Sequence, residues 1–316
     1  MNYYFWEVAF ISNQNFQSSK SIKIKAMIKL TRPPNSLTAA VAVISALFLA
    51  LGEDGSPYDF TTYLLIGSAA FFVTAHAMVH NDIVDFDADS ISTPYRPLPS
   101  KMISMKEAKI WATFLFLAAI TSGILIDFRL DLEFPISLFW AISNALLLDA
   151  YNLWFKKSGL IGNMVVAYVV WALFIYADLL VSNGFTLRVQ SIGLYAFFMN
   201  WGREVIKGIR DIEGDKSENV LTIAVRWGAH GAAYVGSGLL LIAILWTIPL
   251  ILNPVGNFVV PLILIMFNLV IIFRCFNLIK NPTANYANST KRLFLYLMLI
   301  AVIVLLINQI IVLNYN

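Results

Sequence analysis

Trp227 to Phe273 is a run of 47 residues without a single Asp, Glu, Lys or Arg. As one helix it would reach roughly 70 Å at 1.5 Å per residue, about twice the hydrocarbon thickness of a bilayer. It must fold back on itself, and Asn253-Pro254-Val255-Gly256-Asn257 carries the turn chemistry to do so. The rest of the chain is consistent with this. Of its 316 residues 59% are hydrophobic and 13% are charged, too little charge to cover a water-soluble surface. A soluble enzyme and a disordered chain are both excluded. The sequence describes a polytopic, all-α membrane protein.

Other charge-free stretches run from Pro33 to Gly52, Phe60 to Asn81, Ile110 to Ile126, Ser158 to Ala177 and Leu293 to Asn316. Two shorter ones, Phe134 to Leu148 and Val189 to Gly202, need their charged ends at the interface to count as spans. Together with the folded-back pair they predict nine transmembrane helices. Placing the N-terminus in the cytoplasm puts 20 of the 22 Lys and Arg on the inner side, leaving Arg129 and Arg188 outside. The positive-inside rule thus supports both the count and the orientation. Residues 1–32 are expected to be a cytoplasmic, interfacial segment without a signal-peptide pattern, its part from Ser21 to Arg32 a basic stretch on the inner membrane surface. Residues 33–316 are expected to form one nine-helix domain. The net charge of +3 gives no argument for nucleic acid, and the single cysteine, Cys275, excludes an intrachain disulfide.

The acids are placed unevenly. The second span runs into Asn81-Asp82-Ile83-Val84-Asp85-Phe86-Asp87-Ala88-Asp89, and the sixth into Arg210-Asp211-Ile212-Glu213-Gly214-Asp215, both on the inner side. At about 100° per residue, Asp82, Asp85 and Asp89 share a narrow arc if the helix continues, and Asp211 and Asp215 form an i,i+4 pair. Carboxylates crowded in this way repel unless a cation neutralises them. Mg²⁺ fits, because it takes oxygen ligands from a few carboxylates, waters and substrate phosphates. The candidate metal ligands are Asp82, Asp85, Asp89, Asp211 and Asp215. Nearby Arg96, Lys156, Lys157, Arg203, Lys207 and Arg210 are candidate diphosphate ligands, and Asn81 either caps a helix end, orients Asp85 or touches diphosphate. The His76-x-x-x-His80 pair is set aside as a metal site, since one box and three histidines fall short of what membrane di-iron chemistry uses. Ser104 and Glu107 form a capping box that opens the third helix.

The first acidic segment, followed by Arg96-Pro97-Leu98-Pro99-Ser100, resembles the first aspartate-rich motif of the UbiA-type intramembrane prenyltransferases. Asp211-x-x-x-Asp215 is similar to the second, Tyr151 to Lys157 with Gly162-Asn163 to the loop between helices four and five, and Arg32-Pro33-Pro34-Asn35 to the start of the first helix. Within the family, Arg203 to Asp215 looks most like the archaeal-type enzymes that prenylate geranylgeranylglyceryl phosphate, although such relatives often carry an acid at Gly208 and a glycine at Lys101. The resemblance implies a bundle around a central cavity open sideways to lipid. It also implies two Mg²⁺ ions, a polyprenyl diphosphate donor, and a lipid or aromatic acceptor that attacks an allylic cation. Catalysis would rest on Asp82, Asp85, Asp211 and Asp215, with the Tyr151 ring facing the cation. Asn35 joins the substrate-binding set on the resemblance alone. The expected place is the cell membrane, with the site on the cytoplasmic side. From another class, an ion or lipid transporter also uses intramembrane acids, but these acids lie at helix ends and not at the midplane.

Overall fold

The structure is a computed structural model that describes residues 20–52, 58–182, 184–217, 220–254 and 258–315. Among the described residues the regular structure is helical: α1 Lys20–Leu30, α2 Pro33–Leu51, α3 Phe60–Val84, α4 Phe86–Ser92, α5 Met105–Arg129, α6 Ile136–Leu153, a 3-10 turn Phe155–Ser158, α7 Leu160–Ser182, α8 Leu187–Ser217, α9 Ile223–Leu245, α10 Ile248–Leu252, α11 Val259–Lys280 and α12 Ala284–Tyr315. Eight segments are long and apolar enough to cross a membrane: α2, α3, α5, α6, Leu160–Val181 of α7, Ile223–Leu252, α11 and Ala284–Asn308 of α12. This is a multi-pass membrane protein. The remaining expected span, the sixth, Val189 to Gly202, lies in α8, whose 31 residues hold too many polar side chains to meet that standard. The fold-back after Leu252 is present, but Val255, Gly256 and Asn257 of the expected turn, like residues 1–19, fall outside the described residues.

Most helices run past the charge-free stretches, and the reason is local pairing. α6 continues over Asp149 because His76 and His80 of α3 both bond its carboxylate. The Nδ1 of His76 meets the carbonyl oxygen of Ala112 on α5 at 3.0 Å and its Nε2 meets the Asp149 carboxylate at 3.1 Å; both partners are acceptors, so both ring nitrogens donate. The histidine pair therefore ties α3, α5 and α6 together. At the opposite end, Asp127 of α5 accepts the backbone N–H groups of Ser137 and Leu138 at 2.8 and 2.9 Å and so caps α6. Asp178 of α7 does the same for α8 through Thr186 and Gln190. These acids are structural, and nothing in their local sequence separates them from the motif acids.

Three apolar clusters hold the bundle. One spans α2, α3, α6 and α7, centred on residues such as Leu47, Ile66 and Tyr176. A second joins α8 and α9 to α11 and α12 through Met199, Ile206, Leu240 and Phe294. The third packs Ala26 and Leu30 of α1 against Ala75, Val79, Ala108 and Leu115. The basic N-terminal segment is thus a helix docked on the bundle, held further by Lys23–Glu107 at 2.6 Å, while Ile24 and Ile28 face outward. Ser104 and Glu107 form the expected capping box. Exposed Leu262, Met266, Leu269, Phe273 and Phe276 on α11 show the surface meant for lipid.

Candidate active site

The first motif is nearly one continuous helix. α3 gives way to α4 at Asp85, yet the i to i−4 pattern persists: Asp85 N–H bonds Asn81 O at 2.9 Å and Asp89 N–H bonds Asp85 O at 2.8 Å. Asp82 and Asp89 are buried, and the carboxylates of Asp82, Asp85 and Asp89 are each held by a cation. Arg96 bonds Asp89 and approaches Asp82 at 3.6 Å, Arg32 bonds Asp82, and Lys156 bonds Asp85. Arg32 pays for its position with a left-handed backbone (φ 44°, ψ 68°) just before Pro33, where a non-glycine residue is strained. From there its guanidinium reaches Asn81 at 3.2 Å and Met78 Sδ at 3.7 Å.

The loop motif supplies the next wall. Asn152, buried near the end of α6, accepts from the Asn81 amide at 3.2 Å and donates to Ala77 O at 3.3 Å, fixing α6 to α3. The 3-10 turn carrying Lys156 folds back over the start of α7. A Cβ at Gly162 would overlap the carbonyl oxygen of Phe155, and one at Gly159 (φ +63°) would overlap that of Leu221. Both glycines are demanded by close approach. Tyr151 lies within electrostatic reach of both Asp85 of the first motif and Glu204 of α8.

α8 gathers its polar residues on one stripe. Asn200, Arg203, Glu204, Lys207, Arg210, Asp211 and Asp215 fall within about 140° at 100° per residue, while Val205, Ile206 and Ile209 pack against α9. Glu204 accepts from Arg203 at 2.9 Å and from Lys207 at 3.1 Å. Arg210 grips Asp211 with two nitrogens and reaches Asn288 of α12 at 3.2 Å. Lys291, one helix away on α12, lies within electrostatic reach of Arg203, Glu204, Lys207 and Arg210.

Among the described residues, no three His, Cys, Asp or Glu converge as metal ligands; the carboxylates are spread over arginines and lysines instead. Their chemistry still suits Mg²⁺: the carboxylates and the Asn81 amide form an all-oxygen donor set beside cations able to hold phosphate. The structure brings together Asn81, Asp82, Asp85, Asp89, Arg96 and Lys156, and separately Arg203, Lys207, Arg210 and Asp211. Asp215 lies half-buried on the same α8 stripe. Asn35 is exposed, with its amide 3.7 Å from Met78 Sδ, and Lys157 is exposed on the 3-10 turn.

The sequence profile described as the UbiA prenyltransferase family matches residues 39–300. The chain belongs to that family. It is a prenyltransferase, which removes the transporter reading. This UbiA prenyltransferase is 33% identical over 288 residues to the digeranylgeranylglyceryl phosphate synthase of Methanococcus aeolicus, covering 90% of this chain and 97% of that one. It is 34% identical over 276 residues to the synthase of the same name from Methanococcus vannielii, covering 85% and 92%. A solved structure of a digeranylgeranylglyceryl phosphate synthase superposes with a TM-score of 0.74 at 27% identity, covering 91% of this chain and 99% of that one. A UbiA homologue from Archaeoglobus fulgidus bound to GPP and Mg²⁺ shares the fold, with a TM-score of 0.68 at 16% identity, covering 92% and 99%.

Sequence reasoning on this UbiA prenyltransferase passed over four residues that the structure places at the site. Arg32 had a signal, its place directly before Pro33-Pro34 in a recognised motif. Glu204 also had one, its i,i+3 spacing to Lys207. Asn152 lay inside the recognised Tyr151 to Lys157 loop, and Lys291 had no signal, since its neighbours on α8 lie far away along the chain. Lys101 has φ +59°, a left-handed backbone that suits glycine better than lysine.

Proposed function

We propose that this enzyme transfers a geranylgeranyl group from its diphosphate to geranylgeranylglyceryl phosphate, forming a second ether bond. The observation that carries the reading is the first motif, where three carboxylates and three cations interlock at the end of an apolar bundle. That array suits a metal-bound diphosphate with its hydrocarbon tail held among the helices. The bond between the prenyl C1 and the diphosphate oxygen breaks, and the electron pair leaves with the diphosphate. The acceptor hydroxyl oxygen bonds C1, and its proton passes to the departing diphosphate. Asp82, Asp85, Asp89, Asp211 and Asp215 would hold Mg²⁺, two ions in this reading, and the metal, when bound, neutralises charge developing on the leaving group. Arg32, Arg96 and Lys156 bind the diphosphate oxygens. Tyr151, between the two acidic helix ends, turns its ring toward the allylic cation. The surrounding apolar helices exclude the water that would otherwise quench it.

α8 crosses the membrane as the sixth of nine spans in this reading, its polar stripe turned to the cavity. The site faces the cytoplasm of a cell membrane, as the bias of Lys and Arg supports. The test is purified protein with geranylgeranyl diphosphate, Mg²⁺ and a panel of glycerol-phosphate and aromatic acceptors, read by mass spectrometry. Digeranylgeranylglyceryl phosphate is the expected product; prenylation of only the aromatic acceptors would refute the assignment.

A further inference from the structure

The cations of this site fall into two sets with different charge balance. On the α3, α4 and α6 side, Arg32, Arg96 and Lys156 are matched by Asp82, Asp85 and Asp89. On the α8 and α12 side, Arg210 is matched by Asp211, while Arg203 and Lys207 share the single carboxylate of Glu204 and Lys291 lies within electrostatic reach of it. Arg203, Lys207, Lys291 and Glu204 together thus carry an excess of two positive charges, among helices that pack within the bundle. Like charges so placed repel, and their desolvation is uncompensated unless an anion joins them. Arg203 also keeps an unused donor, since its Nε is buried without a hydrogen-bond partner.

We propose that Arg203, Lys207 and Lys291 seat the phosphate of the acceptor lipid, apart from the cations that hold the donor diphosphate. This rests on the glycerol-phosphate acceptor proposed above. The charge fits, since a phosphate monoester carries about −1.5 to −2 at pH 7. Position fits as well: Lys207 and Arg203 stand one and two turns along α8 from Asp211, about 6 and 12 Å of rise. A phosphate seated there stands on the same face of α8 as that proposed metal ligand. Glu204 is a positioning residue here, holding the arginine and the lysine apart until the phosphate arrives.

The test uses the full-length enzyme in detergent, with geranylgeranyl diphosphate as donor and two acceptors, geranylgeranylglyceryl phosphate and the same lipid alcohol without its phosphate. Lys291→Gln and Lys207→Gln should each raise KM for the phosphorylated acceptor about tenfold, the loss of one charge-assisted contact. The donor KM should hold, and Lys291→Arg should recover much of the loss. The variants should also narrow the preference for the phosphorylated over the unphosphorylated acceptor. An unaltered donor KM shows that the variants are folded. A rise in donor KM with acceptor KM unchanged would overturn the proposal while leaving the proposed reaction intact. Failure of the wild-type enzyme to prenylate either glycerol lipid, while it consumes donor on another acceptor, would overturn both.

Discussion

Arg32 offers a perturbation in which backbone strain and side-chain contact are separable. Its guanidinium bonds the buried Asp82 and the Asn81 amide, while its own backbone sits at φ 44°. Removing the side chain deletes a charge-assisted hydrogen bond worth about 1.5–3 kcal/mol and leaves Asp82 with Arg96 at 3.6 Å. Arg32→Ala keeps the left-handed strain, so it should lose about 2 kcal/mol of stability. Arg32→Gly loses the same contact but releases strain of about 1–2 kcal/mol, partly offset by the entropy of glycine, and should sit about 0.5–1 kcal/mol above the alanine variant. Both should turn over at least about tenfold more slowly, because the first motif loses a diphosphate ligand. Thermal unfolding in detergent, followed by far-UV circular dichroism, reads the first effect, and diphosphate release reads the second. Equal stability for the two variants would refute the strain argument. Wild-type turnover in Arg32→Ala would remove Arg32 from the site.

Further outcomes follow from local geometry. Gly162→Ala should destabilise the fold by about 1–3 kcal/mol and slow turnover, because the new methyl displaces the turn that brings Lys156 to Asp85; thermal unfolding and turnover measured on the same preparation check both. Lys101→Gly should raise the melting temperature by a degree or two, the exchange of a strained lysine for the residue suited to φ +59°. Asp59 caps α3 through Thr62 and pairs with Arg129; the Thr62 backbone bond, then its hydroxyl and Arg129, hold the carboxyl down at about 2. Its contribution to stability is therefore present above the unfolded value near 4 and is lost as pH falls through the folded one. The melting-temperature gap between wild type and Asp59→Ala should narrow between pH 4 and pH 2, and a gap independent of pH would contradict this.

The fold was legible wherever burial depends on chain-local hydropathy. Charge-free runs located the helices, but counting charged residues as helix ends made α6 too short, because Asp149 is neutralised by histidines 69 and 73 residues earlier in the chain. The same logic hid the character of α8, in which polar residues occupy one stripe and the apolar residues that pack against α9 occupy another. Within the site, the aspartates were legible because their spacing is local and repeated. The partners of Arg32, Asn152 and Lys291 were not, since each is brought near only by packing. Asp127 and Asp178 show the converse: acids in apolar helices whose task is to cap the next helix. At Lys101 the backbone angle of φ +59° supplied a strain that residue type alone does not announce.

The central claim is that the ends of α3 and α8 serve one metal-dependent diphosphate site. Turnover of Asp82→Asn, Asp211→Asn and the double variant, each titrated with Mg²⁺, tests it directly. The account predicts that either single variant loses at least about a thousandfold in turnover and that the double variant is little worse than the weaker single, because the groups act as a unit. Losses that multiply in the double variant, or an Asp211→Asn enzyme with wild-type turnover and Mg²⁺ dependence, would contradict it.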